Sequence, residues 1–129
     1  MRVLLDTQVW LWMLAAPERL SKKSRALVVS VENELILSAA SAWEIAIKHG
    51  LGKLQLPEPP VDYVSRLMVR TGVSPLPILH RHALHVATLP GLHRDPFDRL
   101  LIAQALMEEL PVLSSNRIFR RYGVEMIPA

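Results

Sequence analysis

The stretch Arg2-Val3-Leu4-Leu5-Asp6-Thr7 decides the fold. Its consecutive aliphatic residues suit a strand buried on both faces, as in a parallel sheet. Asp6 and Thr7 end that strand, and the apolar run Val9 to Leu14 follows as a predicted helix. The same alternation recurs along the chain. Ser21 to Glu32 is predicted as a second helix and Leu35-Ile36-Leu37-Ser38 as a second strand. Ser41 to His49 reads as a helix stopped by Gly50, and Val61 to Thr71 as a helix ended by Gly72. Val73 to Ile78 follows as a short strand and His80 to Ala87 as a short helix. Pro96 to Leu110 carries the strongest helix signal, with Asp95 as N-cap and proline at the first position. Val112-Leu113 is a buried strand, Asn116 to Tyr122 a short helix and Val124 to Ile127 a last strand. This order predicts an α/β fold with a mainly parallel sheet of four to five strands covered on both faces. At 129 residues, without an internal repeat, the chain reads as one domain over 1–129.

In such a sheet, ligands bind beyond the carboxyl ends of the strands. Asp6 follows the first strand, and Glu44 lies in the first turn of the helix after the second. Asp95 and Asp98 open the long helix, and Asn116 follows Val112-Leu113. Each polar group also fits a local capping role. Ser41 and Glu44 match a capping box, Asp95 and Asp98 open their helix in the same way, and Asp6, Thr7, Ser115 or Asn116 could cap their own helices. Independent caps, however, need not share one sheet edge. Carboxylates gathered at one edge suit hard divalent cations such as Mg²⁺ or Mn²⁺. Asp6 is the strongest single candidate, because a carboxylate between an apolar strand and an apolar helix needs a partner or a metal.

Composition narrows the chemistry. Lys and Arg total 15 against 12 Asp and Glu, a net charge of +3 that favours a polyanionic partner. Cysteine is absent, which excludes disulfides, thiolate zinc sites and a cysteine nucleophile. No Walker loop or dinucleotide glycine motif occurs among the 5 glycines. The run Val9 to Ala16 is too short to span a bilayer, and no clean cleavage site follows it, so a cytoplasmic location without a membrane is expected.

Four segments together carry a resemblance: Leu4-Leu5-Asp6-Thr7; Ser38-Ala39-Ala40-Ser41-Ala42-Trp43-Glu44-Ile45-Ala46-Ile47-Lys48; Leu51-Gly52-Lys53-Leu54; and His93-Arg94-Asp95-Pro96-Phe97-Asp98-Arg99-Leu100-Leu101-Ile102-Ala103-Gln104-Ala105. In order and at this spacing they resemble a PIN domain, and more narrowly the VapC toxins of type II toxin–antitoxin pairs. The resemblance implies a three-layer α/β/α fold and a metal-dependent ribonuclease using Mg²⁺ or Mn²⁺. It implies Asp6, Glu44 and Asp98 as catalytic and metal-binding acids, with Asn116 at the fourth position. Asp6 and Asp98 would bind the ion directly, and Glu44 directly or through water. Thr7, Ser114 and Asp95 would support the site, with Asp95 as a helix cap. The implied reaction is in-line hydrolysis of RNA leaving a 5′-phosphate and a 3′-hydroxyl. Implied partners are an RNA substrate, a VapB-type antitoxin and a second copy in a homodimer. Two other readings stand beside it: a PIN-type nuclease in RNA processing without an antitoxin, and a non-catalytic binding module. Gln8 stands where the family often has His, and it cannot titrate near neutral pH.

Arg94, Arg99 and Arg117 are candidates for holding substrate phosphates, while Lys22, Lys23 and Arg25 read as a solvated face. Trp10 and Trp12 cannot both face one core, which leaves the first helix as a candidate groove wall. His80, His82 and His85 lack a fourth zinc ligand and read as part of a surface or half-buried helix, and His93 as a loop residue.

Overall fold

The computed structural model describes residues 1–129. Five parallel strands form one sheet: β1 (Arg2–Leu5), β2 (Glu34–Ser38), β3 (Ser74–Leu76), β4 (Val112–Ser114) and β5 (Met126–Pro128), in the order β3-β2-β1-β4-β5. The helices are α1 (Thr7–Ala15), α2 (Lys22–Val29), α3 (Ala39–Gly50), α4 (Pro60–Thr71), α5 (His80–His85), α6 (Pro96–Glu108) and α7 (Ile118–Arg121). Pro75 and Pro128 lie in the two edge strands, where a missing N–H is tolerated and further pairing is discouraged.

The strand pleat sorts the core into two layers. Val3, Leu5, Leu35, Leu37 and Leu113 face α1, α3 and α4, meeting Trp10, Ile45 and Leu67. Leu4, Ile36 and Val112 face the other way, against Leu101, Ile102 and Ala105 of α6 and Phe119 of α7. The expected three-layer α/β/α arrangement is therefore present, with all strands parallel. No helix is long and apolar enough to cross a membrane.

Several boundaries differ from the sequence expectation. α3 begins at Ala39, because the Ser38 hydroxyl accepts from the Ala40 amide and caps it. Ser41 therefore lies inside the helix, the expected capping box with Glu44 does not form, and Glu44 sits beyond the first turn. Gly50 is the last helical residue rather than the stop, and the left-handed glycine is Gly52 at φ 72°. α2 ends at Val29, because the Asn33 side-chain amide donates to the Leu27 carbonyl and turns the chain. The last helix is confined to Ile118–Arg121, and the last strand is shifted to Met126–Pro128.

Candidate active site

The sheet order reverses beside β1, between the chain exits of β1 and β4. Asp6 leaves β1 there and Asn116 follows β4, so both flank the crevice where open α/β sheets bind ligands. A cleft of ≈ 330 Å³ opens at this point. Asp6, Thr7, Glu44, Asp95, Asp98 and Asn116 all line it, from the starts of α1 and α6, the second turn of α3 and the loop after β4.

Asp6 occupies the N-cap position of α1 but makes no capping hydrogen bond. Its Oδ2 instead accepts a 2.6 Å hydrogen bond from the buried Ser114 hydroxyl. The Asn116 amide donates to that same Ser114 oxygen at 2.9 Å, which fixes the hydroxyl proton toward Asp6. Beside it, the Thr7 hydroxyl donates to Ser41 Oγ at 2.8 Å and ties the start of α1 to α3. Ser41, out of register for a cap, thus joins the two helices that bear Asp6 and Glu44. Ser114→Ala should remove the side-chain hydrogen bond that holds the Asp6 carboxyl down and raise its pKa further. An NMR titration of the Asp6 carboxyl in both proteins tests this, and an unchanged midpoint would make the contact incidental.

Asp95 does cap its helix, accepting from the Asp98 amide at 2.9 Å. Asp98 does not return the bond; its Oδ2 accepts from His93 Nε2 at 2.8 Å. Glu44 is paired with Lys48 one helical turn on, while its Oε1 is buried without a hydrogen-bond partner.

The electrostatics are those of anions crowded together. Burial pushes the Asp6 carboxyl up to about 6, and the charges of Asp98 and Glu44 push the same way against Ser114's hydrogen bond. Asp98 is raised by burial and by Asp95 and Glu44, with His93 opposing. As they stand, no three His, Asp or Glu side chains lie close enough to hold an ion among them. Glu44 is held by Lys48 and Asp98 by His93 in this arrangement. The donors nevertheless fit a hard divalent cation: they are carboxylate oxygens, they share one cleft, and one buried oxygen of Glu44 lacks any partner.

One expectation about the basic residues is corrected. Arg99 does not face the cleft. Its guanidinium donates to the carbonyls of Val86, Leu89, Pro90 and His93 and to the Tyr122 hydroxyl, at 3.0 to 3.3 Å. It is a tether for the loop that carries His93 and Asp95. Arg94 and Arg117 are exposed and lie outside the cleft lining. The cations that do line it are Lys48 and Lys53. Lys48 was legible as the i+4 partner of Glu44, whereas Lys53 depends on the turn at Gly52. His93, read as a loop residue, contacts an acid of the cleft directly.

Trp10 is buried, whereas Trp12 is half-buried on the outer side of α1, with Arg19 stacked 5.9 Å above its ring. Trp43 is 53% exposed and meets Phe97 edge-on at 5.0 Å, so it is not a core residue. His82 is fully buried: its Nδ1 accepts from the Leu79 amide and its Nε2 pairs with Glu108. It is a structural histidine.

A sequence profile described as the PIN domain matches residues 3–125. Ribonuclease VapC22 of Mycobacterium tuberculosis is 32% identical over 123 residues, covering 93% of this chain and 91% of that protein. Ribonuclease VapC16 of the same organism is 54% identical over 63 residues, covering 49% of this chain and only 45% of that protein. Among solved structures, the VapBC2 complex from Rickettsia felis bound to a promoter DNA fragment gives a TM-score of 0.74 at 15% identity. That match covers 100% of this chain and 99% of the matched one.

Proposed function

The chain belongs to the PIN-domain family, in its VapC branch, and from that premise we propose that it is a metal-dependent endoribonuclease acting as the toxin of a toxin–antitoxin pair. The observation that carries this reading is the cleft at the sheet switch point, which Asp6, Glu44 and Asp98 line together with Asn116. The names VapC16 and VapC22, both ribonucleases, support the activity. Asp6 and Asp98 would hold a Mg²⁺ or Mn²⁺ ion directly, and Glu44 directly or through water.

When bound, the ion supplies positive charge for a phosphoryl oxygen and makes water a stronger acid. The chain's own residues do the rest. Ser114 donates its hydroxyl proton in a hydrogen bond to Asp6 Oδ2, which favours the ionised carboxylate and fixes its direction. The 2.8 Å Thr7–Ser41 bond holds the backbones carrying Asp6 and Glu44 at constant spacing. His93 orients Asp98, and Asp95 locks the first turn of α6 beneath it. Asn116 has its Oδ1 engaged by the Ile118 amide at 3.1 Å, so its free NH₂ faces substrate or water. In-line attack of water on phosphorus leaves a 5′-phosphate and a 3′-hydroxyl, and no covalent enzyme intermediate is needed.

A VapB-type antitoxin is the second part of the proposal, supported by the VapBC complexes among similar folds. A groove of ≈ 340 Å³, lined by Leu11, Trp12, Ala15, Leu56 and Tyr63, runs into the cleft, and Gln8, Leu11 and Leu54 line both. An apolar tail segment lying there would reach the acids. Trp12→Glu should cost that association about 2 kcal/mol or more, read as loss of co-purification on coexpression with a VapB-type antitoxin that co-purifies with the unsubstituted chain. A homodimer in the cytoplasm completes the reading.

The direct test is to treat total RNA with the purified chain in Mg²⁺ or Mn²⁺ and sequence the new 5′ ends. Ends that appear with metal and vanish with EDTA support the proposal. Ends equally abundant in EDTA would overturn it.

A further inference from the structure

We propose that Lys48 is an exchangeable cation of the cleft: it holds Glu44 while no metal is bound, and it turns to a backbone phosphate of the RNA once a divalent ion takes Glu44. Lys53 is the second phosphate contact, engaged whether or not metal is present. This inference rests on the ribonuclease reading and extends it to how the substrate is held.

The first observation is elimination. RNA binding draws on cations beside the backbone phosphates, and none of the arginines nearest in sequence lines the cleft itself. Arg99 spends its guanidinium on loop carbonyls and Tyr122, and Arg94 and Arg117 lie outside the lining. His93 is committed to Asp98. Lys48 and Lys53 are the basic side chains that line the cleft, facing the four carboxylates of Asp6, Glu44, Asp95 and Asp98.

The second observation is the state of Glu44. Its side chain is 9% exposed and one oxygen is unpartnered, so the other oxygen's bond to Lys48 is its sole neutralising contact. The Lys48 side chain is 44% exposed and reaches that carboxylate from the solvent side. A divalent ion on the free Oε1 of Glu44 sets two positive charges beside the ammonium on Oε2 and withdraws negative charge from that oxygen, and the repulsion releases the solvent-side lysine. The freed ammonium remains on a flexible stem beside the acids, where the next available anion is a phosphate. Lys53 differs because it makes no ion pair; it is set by the backbone, with its amide donating to the Lys48 carbonyl at 2.9 Å around the left-handed Gly52.

The test uses the full-length chain with a fluorescein-labelled single-stranded oligoribonucleotide, titrated at several salt concentrations in EDTA and in Ca²⁺. RNA intactness is checked on a denaturing gel after each titration. In Ca²⁺, Lys48→Met should weaken binding and flatten the log–log salt slope by roughly 0.7, the value for one single-strand phosphate contact. In EDTA the same substitution should leave the slope unchanged, whereas Lys53→Met should flatten it in both conditions. Without RNA, Lys48→Met should bind Mn²⁺ several-fold more tightly by calorimetry, because a competitor for Glu44 is gone, while Lys48→Arg stays near wild type. A Lys48→Met effect equal in Ca²⁺ and EDTA, or absent from both, overturns the exchange, as does unchanged Mn²⁺ affinity. Failure of the unsubstituted chain to bind both Mn²⁺ and RNA would instead overturn the ribonuclease reading.

Discussion

Asp6→Asn should nearly abolish cleavage and at the same time make the metal-free protein more stable at neutral pH. The two effects share one cause. Asp6 is 9% exposed, hemmed by Glu44 and Asp98, and its carboxyl is raised from the ordinary 3.8 to about 6. A group whose folded pKa lies above its unfolded value costs stability when it ionises. The cost is absent below about pH 4, grows as pH rises through about 6, and is complete above that. It amounts to about 3 kcal/mol. Asn keeps the shape and can still accept from Ser114, but carries no charge. Metal-free wild type should therefore lose stability from pH 4 to pH 7 in urea titrations, and Asp6→Asn should lose less, keeping only the share due to the raised Asp98 carboxyl. Losing one ligand charge should cost the cleavage rate about 10³-fold, the equivalent of about 4 kcal/mol of charge stabilisation. Equal stability of the two proteins at neutral pH would show that Asp6 carries no such burden.

Arg99→Ala should produce the largest loss of stability of any single substitution outside the apolar core. Charge-assisted hydrogen bonds contribute about 1.5–3 kcal/mol each when one partner is removed. Arg99 makes five contacts, some of them to carbonyls that water can reach, so about 3–5 kcal/mol is expected in total. Arg99→Lys should recover little, because one ammonium cannot replace a planar fork that reaches several carbonyls. Where the variant is still folded, the salt dependence of RNA binding should match wild type. A stable Arg99→Ala protein with a flattened salt slope would return Arg99 to the phosphate-binding role that its position beside Asp98 had suggested.

Arg99 also shows where sequence reading reaches its limit. Its neighbours in the chain are acids, so proximity argued for a role in the cleft. Its real partners are carbonyls between Val86 and His93, and the backbone path of a loop leaves no mark in residue type. The same limit applies to Ser41. A serine three residues before Glu44 fits a cap, yet Ser38 takes the cap and Ser41 turns inward to Thr7. By contrast, Asp6 and Asp98 were legible because each is an acid at the carboxyl end of a strand or the start of a helix, and Glu44 because it lies early in the helix that follows β2. The topology of a parallel sheet then brings such positions together. The strands of the centre were legible for a similar reason: Val3 to Leu5 and Leu35 to Leu37 are apolar without interruption, as burial on both faces requires. The edge strands were less so. Pro75 and Pro128 give no strand signal, and their boundaries follow from pairing to β2 and β4.

The central claim is that carboxylates from three separate helix starts and turns bind one ion. Mn²⁺ titration calorimetry on the RNA-free chain, repeated on Asp6→Asn, Glu44→Gln and Asp98→Asn, tests it most directly. The account predicts saturable Mn²⁺ binding by the wild-type chain and a loss of affinity of at least about 10-fold in the Asp6 and Asp98 variants. Glu44→Gln should lose less if water lies between Glu44 and the ion. Wild-type affinity in Asp6→Asn or Asp98→Asn would contradict it.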